Sequence, residues 1–208
     1  SLALRPFLGY DLTQRTPDHS TLSRIRQRLP VEEHLEVFTW MLRVLAKADL
    51  LKGKTLAVDA TTLEANAALR SLCRTDTGEP YKDYLTELAK ESGIDTPTRE
   101  DLAKLDKARK KKTSNDDWEH PHDPDAKVTR MKDKRTHQAH KAEHVVDLDT
   151  QAIVAVNLGD ANEGDTSSIT WSLLRAEANL ATVSEDPQAA RKLHERRMAE
   201  VVADKGYQ

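Results

Sequence analysis

Two segments of the chain end an apolar run in a carboxylate: Leu56-Ala57-Val58-Asp59 and Val201-Val202-Ala203-Asp204. Each reads as a short buried strand that delivers an acid at its C-terminal end. If the two strands lie side by side and parallel, both acids emerge at one edge of a sheet, where the active sites of open α/β sheets are found. Facing carboxylates repel one another unless a cation intervenes. A ligand set made only of oxygen favours a hard ion, Mg2+ or Mn2+. A pair of such ions can clamp the attacking and leaving oxygens of an in-line phosphoryl displacement. Asp59, on what would be a central strand, is the natural bridging ligand. An Asp after a strand is equally an ordinary turn or helix-capping residue, so the matching pair carries more weight than either acid alone.

The elements that must position these acids can be read around them. Residues 1–16 read as loop around Pro6 and Gly9, and Asp18 or Ser20 then caps a helix carrying Leu22, Ile25 and Leu29 at helical spacing. Pro30 ends it and opens a second, strongly amphipathic helix over 31–51, with Leu35, Phe38, Leu42 and Leu45 on one face. The first acid-bearing strand follows Gly53, and Thr61 and Thr62 could extend it. Between about 71 and 130 the pattern predicts a helical insertion, with helices over 81–92 and 98–112 and a polar loop behind them, and no core strand. Strand character returns at 136–148 and 152–158, joined by the hairpin-like turn Asp149-Thr150-Gln151. A helix capped by Asp165 or Thr166 runs to about 180, another spans 187–199, and the second acid-bearing strand comes last. The expected division is an N-terminal helical region, 1–52, and a catalytic domain, 53–208, that holds the insertion.

The bulk properties are compatible with this picture. The 208 residues are 38% hydrophobic and 32% charged, with formal net charge -3 and mean hydropathy -0.70. No global basic field advertises a polyanionic partner, and the 4% aromatic content argues against a stacking platform for single-stranded nucleic acid. The single cysteine, Cys73, excludes an internal disulfide and fits a reducing cytosol. No stretch approaches eighteen apolar residues, so no membrane partner is expected. The chain starts at Ser1 and stops at Gln208, just after a strand-like run, and reads as a fragment.

The residues flanking the acids resemble a known family. Val58-Asp59-Ala60-Thr61-Thr62-Leu63-Glu64-Ala65-Asn66 is similar to the first-aspartate motif of bacterial insertion-sequence DDE transposases. Val202-Ala203-Asp204-Lys205-Gly206-Tyr207 resembles their second, the box of aspartate, basic residue, glycine and tyrosine. The run from Pro17 to Leu29 resembles their N-terminal helical region, and Asp123–Lys127 with the His137–Val146 strand resembles the segment before the second aspartate. The resemblance implies a ribonuclease-H-like mixed sheet, α/β in class, binding two divalent metals (Mg2+ or Mn2+). It further implies hydrolytic nicking at transposon ends and strand transfer by the freed 3′-hydroxyl. The expected partner is double-stranded DNA, both transposon ends and target, in the bacterial cytoplasm at the nucleoid; a homodimer is left open. Asp59 and Asp204 are then the first two catalytic and metal-binding acids. The family's third acid is a downstream glutamate; only four residues follow Asp204 and none is Glu, so the chain is expected to bind metal weakly and to catalyse poorly or not at all.

Candidate DNA-contacting residues are Arg24, Arg26 and Arg28 of the first helix, and Lys127, Arg130, Lys132, Lys134, Arg135 and Lys141 leading into the strand beside Asp59. A further basic run, Lys107 with Arg109–Lys112, closes a predicted helix, where the macrodipole favours it; a phosphate-contacting role is the alternative. Histidines at 120, 122, 137, 140 and 144 raise zinc, but without Cys or an HExxH pair the spacing does not support it. Asp160 and Asp165 could supply an active-site acid or cap the next helix, and Glu64 and Asn66 could orient Asp59, meet DNA or simply face solvent. Trp40, Trp118 and Trp171 are expected to pack locally. Three alternatives stay open. The chain could be an inactive transposase fragment that keeps only DNA binding, or a hydrolytic nuclease of the same fold. It could also be a zinc-dependent or helical interaction module, which would leave the two Asp strands apart.

Overall fold

A computed structural model describes residues 4–109 and 114–207. Three helices open the chain: a single turn α1 (Leu4–Phe7), α2 (His19–Arg28) and α3 (Val31–Lys47). Asp18 caps α2 by accepting from the Ser20 amide, as its place before a helical apolar stripe predicts. α3 ends at Lys47, earlier than its periodicity suggests, because Asp49 turns into the left-handed region at φ 67°.

The main sheet is built from β1 (Thr55–Glu64), β4 (Lys127–Arg130), β5 (Thr136–Asp147), β6 (Ile153–Asp160) and β7 (Glu200–Ala203). β5 pairs antiparallel with β1 along one edge and with β4 and β6 along the other, while β7 pairs parallel with the far edge of β1. The molecule is therefore α/β with a mixed sheet. The 20-residue helix α6 (Asp165–Ser184) crosses one sheet face. There, Leu56, Val58, Val145 and Ala155 pack with Ala176 and Leu180 of α6 and with Leu42 and Ala46 of α3. The buried Asp147 carboxylate accepts from the amides of Lys52, Gly53 and Asp149, so it fixes where the chain enters β1. Gly53 sits at φ +68° with an added Cβ only 3.1 Å from Leu180, so it is both turn and close approach.

Several expectations change. β1 does not stop at Asp59 but runs on to Glu64, because β5 stays in register with it as far as Glu64↔Ala139. Residues 71–130 do contain helices, α4 (Tyr81–Glu91) and α5 (Arg99–Ala108), the latter with a Thr98/Asp101 capping box. They also contain the two-residue strands β2 (Cys73–Arg74) and β3 (Trp118–Glu119), as well as β4 in the main sheet. This insertion has its own core: Trp118 stands edge-on to Tyr81 and Tyr84, at 4.9 and 5.2 Å between ring centres. Trp118 thus packs locally as expected, whereas Trp40 and Trp171 are exposed. The residue before α6 is Gly164, with no side-chain cap, and Asp165 is the first residue inside the helix. The expected helix over 187–199 shrinks to α7 (Pro187–Ala190), capped by Asp186, which also pairs with Lys47 of α3. Lys110–Lys112 of the basic run lie outside the described residues. No helix among the described residues is long and apolar enough to cross a membrane.

His137 ties the far end of β1 to the β4–β5 turn, bonding Glu64 and Asp133 at 2.8 Å each. Those two bonds, Asp133 first, raise its pKa above the ordinary value. A group whose pKa is higher folded than unfolded stabilises fully below its unfolded value, about 6.5, and that contribution is lost as pH rises through the folded value. The urea midpoint of the native chain is therefore expected to fall, as pH rises above about 6.5, more steeply than that of His137→Gln. Parallel pH profiles would contradict the pairing.

Candidate functional site

Asp59 occupies the middle of β1 and Asp204 directly follows β7. The last registered pair between these strands is Val58↔Ala203, so the two acids stand at the next matching position on parallel neighbours. Neighbouring strands lie about 4.8 Å apart. Adjacency of the two acid-bearing strands, on which the whole reading of the sequence turned, is thus present in the fold. It is the outcome that the helical-module alternative forbids.

Both carboxylates are exposed. Asp59 accepts from the Ala60 amide at 2.9 Å and Asp204 from the Gly206 amide at 2.7 Å. Neither forms an ion pair within the described residues. Strand alternation puts Asp59 on the face opposite Val58, together with its cross-strand neighbour His144. Among the described residues no group of three or more His, Cys, Asp or Glu side chains is arranged to hold a metal ion. Asp59 and Asp204, at matching positions of the two strands, offer only oxygen donors.

Behind the acids lies a buried polar network that no motif pointed to. Glu143 of β5, 1% exposed, accepts from Ser168 at 2.8 Å and from Ser172 of α6, and from the Tyr207 hydroxyl at 3.0 Å. Lys141, two residues earlier on the same strand face, reaches Asp165 at 2.7 Å and Ser168 at 2.9 Å. Lys141 is only 5% exposed, so the expectation that it touches a DNA backbone does not hold. Its ammonium is turned under α6, where it offsets the charge of Glu143 and Asp165. Asp165 is likewise a structural partner of Lys141, and Asp160 closes β6 opposite His140.

Tyr207 links this network to the acids. Burial first, then the Glu143 bond, then the charges of Glu143, Asp165 and Asp59 hold its phenol well above the ordinary range, so it remains a hydrogen-bond donor. Gly206, between Tyr207 and Asp204, is equally constrained. A Cβ there would come within 2.9 Å of both Asp165 Oδ2 and Asp204 Oδ1. The glycine and tyrosine after Asp204 therefore have physical roles: one makes room where two carboxylates converge, and the other pins the turn to the core.

The predicted basic residues divide. Arg130, Lys132, Lys134 and Arg135 are exposed on β4 and its turn into β5, with Lys127 half-buried. Arg24 and Arg28 are exposed on α2, and Arg24 bonds back to Ser20 of its own helix. Of the histidines, His140 pairs with Asp123 and His120 stacks edge-on with His122. Glu64 is held by His137 rather than by Asp59. Comparison of the chain with protein-family models, with curated proteins and with solved structures finds no match.

Tyr207→Phe removes a hydrogen bond to a buried carboxylate, a change worth about 1.5–3 kcal/mol. It should lower global stability by about that amount. Protection of the Gly206 amide from hydrogen exchange should fall further than that of core β5 amides. Equal loss of protection across the chain would mean that Tyr207 does not pin the Asp204 turn.

Proposed function

We propose that this chain acts on double-stranded DNA as the DDE transposase its motifs resemble, on a ribonuclease-H-like sheet, with Asp59 and Asp204 as two carboxylates that hold Mg2+ or Mn2+. The observation that carries the reading is the parallel register that leads β1 and β7 to adjacent acids. Carboxylates carried at neighbouring strand positions repel each other where they converge, and a hard divalent cation relieves that repulsion. Such an ion, when bound, would activate an attacking water or hydroxyl and neutralise charge at the scissile phosphate.

The chain's own residues supply the rest. The buried Glu143 and Lys141 hold Tyr207 and Asp165, and so hold the turn that carries Asp204. Beyond Asp59, β1 continues past the end of β7, and β5 and β4 continue with it. The five residues from Asp59 to Glu64 advance the sheet by about 17 Å. That is about half a turn of duplex DNA. The basic β4–β5 turn stands at this end, positioned to take phosphates upstream or downstream of the acids, and Arg24 and Arg28 of α2 are further candidates. The order of elements, an acid-bearing strand, a strand hairpin, a helix and a second acid-bearing strand, supports the fold assignment. The location implied is the bacterial cytoplasm, at the nucleoid.

The test is binding of a labelled duplex across a salt series. Each lost phosphate contact lowers the slope of log affinity against log salt by about 0.9. The quadruple variant Arg130→Gln, Lys132→Gln, Lys134→Gln, Arg135→Gln is expected to lose a slope of about 2–4, whereas Lys141→Met keeps the native slope. Absence of duplex binding, or a native slope in the quadruple variant, would sink the proposal. A plain nuclease of this fold is separated by its failure to join a 3′-hydroxyl end to a second duplex.

A further inference from the structure

The helix α2 has the apolar stripe of a packed helix but buries none of its residues. Leu22, Ile25 and Leu29 are 52%, 48% and 45% exposed, and no residue of α2 is buried. The outer face of α3, turned away from the core-facing Phe38, Leu42 and Ala46, carries a second unpartnered stripe. Val37, Met41 and Val44 are exposed there, with Trp40 beside them at 56%. Leaving both stripes in water forfeits apolar burial at roughly 25 cal/mol per Å2.

We propose that a second copy of this chain covers both stripes, α2 of each protomer lying antiparallel on the outer face of its partner's α3. Three observations lead to that occupant. First, the stripes match: stepping back along α2 from Leu29 through Ile25 to Leu22 moves by four and three residues, and stepping forward along α3 from Val37 through Met41 to Val44 does the same. Antiparallel helices so aligned form three apolar pairs. Second, the charges match. α2 contains Arg24, Arg26 and Arg28 and no acid, while the first turns of α3 expose Glu32, Glu33 and Glu36. None of these groups has an ion-pair partner within the described residues of its own chain. The antiparallel alignment sets Arg28, at the C-terminal end of α2, opposite position 38 of the partner's α3, about 3 Å along the axis from Glu36. Third, a helix cannot reach this register on its own chain. α2 and α3 are joined through Leu29 and Pro30, both extended. The position that Leu29 must meet, Val37, lies six helical residues beyond Val31, about 9 Å along the axis. The exchange is reciprocal, so the contact closes as a two-fold dimer.

This dimer is independent of the roles of Asp59 and Asp204, and its test reads oligomeric state alone. Sedimentation of the 208-residue chain at tens of micromolar should show a dimer. Ile25→Glu should give a monomer whose circular dichroism and melting temperature match those of the native chain. Arg26→Glu with Arg28→Glu should weaken association at least tenfold, as should Glu33→Arg with Glu36→Arg in a separate chain. Mixing these two charge-reversed chains should restore the dimer, because each reversed α2 then meets a reversed α3. A native chain that sediments as a monomer overturns the proposal. So does a dimer unaffected by Ile25→Glu, or a mixture of the two reversed chains that stays monomeric.

Discussion

A buried carboxylate organises the part of this molecule that carries Asp204. Glu143 sits under α6 with almost no exposure, and an ion so placed is tolerated only when its oxygens are satisfied and its charge is balanced. Ser168 and Ser172 bind it from the helix, Tyr207 from the C-terminal turn, and Lys141 lies close by on the same strand. Removing any one of these partners leaves a polar group stranded in the core. The requirement therefore couples three elements distant in sequence: β5, α6 and the turn after β7. It also sets where Asp204 stands relative to Asp59, since Tyr207 is only three residues beyond it.

The same physics explains what could and could not be read from sequence. The acids were legible because a short apolar run ending in Asp is a local pattern, and it occurs twice. The hairpin of β5 and β6 was legible for the same reason, as were α2 and its Asp18 cap. The length of β1 was not. Asp59-Ala60-Thr61-Thr62-Leu63-Glu64 has little apolar character, and it stays a strand because β5 pairs with it throughout. β4 was hidden because Lys127-Val128-Thr129-Arg130 gains its strand form from pairing with Thr136–Ala139. The overlong reading of α7 has the converse cause: residues 191–199 carry good helix formers, yet backbone bonds from His194 to Lys52 and from Met198 to Gly53 draw them alongside the entrance to β1.

The most instructive misreading is Lys141. Within a run of basic residues it looked like one more phosphate ligand. Alternation along β5 puts Lys141, Glu143, Val145 and Asp147 on one face, and that face is the buried one. That Lys141, Glu143 and Asp147 share the face of Val145 marks them as buried rather than solvent-facing; their partners on α6 and in the turn after β7 come from the fold. The Gly206-Tyr207 pair was read as part of a motif; its physical reasons, room for two carboxylates and a tether to Glu143, became visible only once α6 lay across the sheet.

The central claim is that Asp59 and Asp204, carried to adjacent positions by parallel strands, share a divalent cation. Its most direct measurement is Mn2+ binding followed by electron paramagnetic resonance on the native chain and on Asp59→Asn and Asp204→Asn. The account predicts a site in the native protein that each single substitution weakens at least tenfold, with the fold intact by circular dichroism. A native chain that leaves millimolar Mn2+ entirely free, or two variants that bind it as the native chain does, would contradict it.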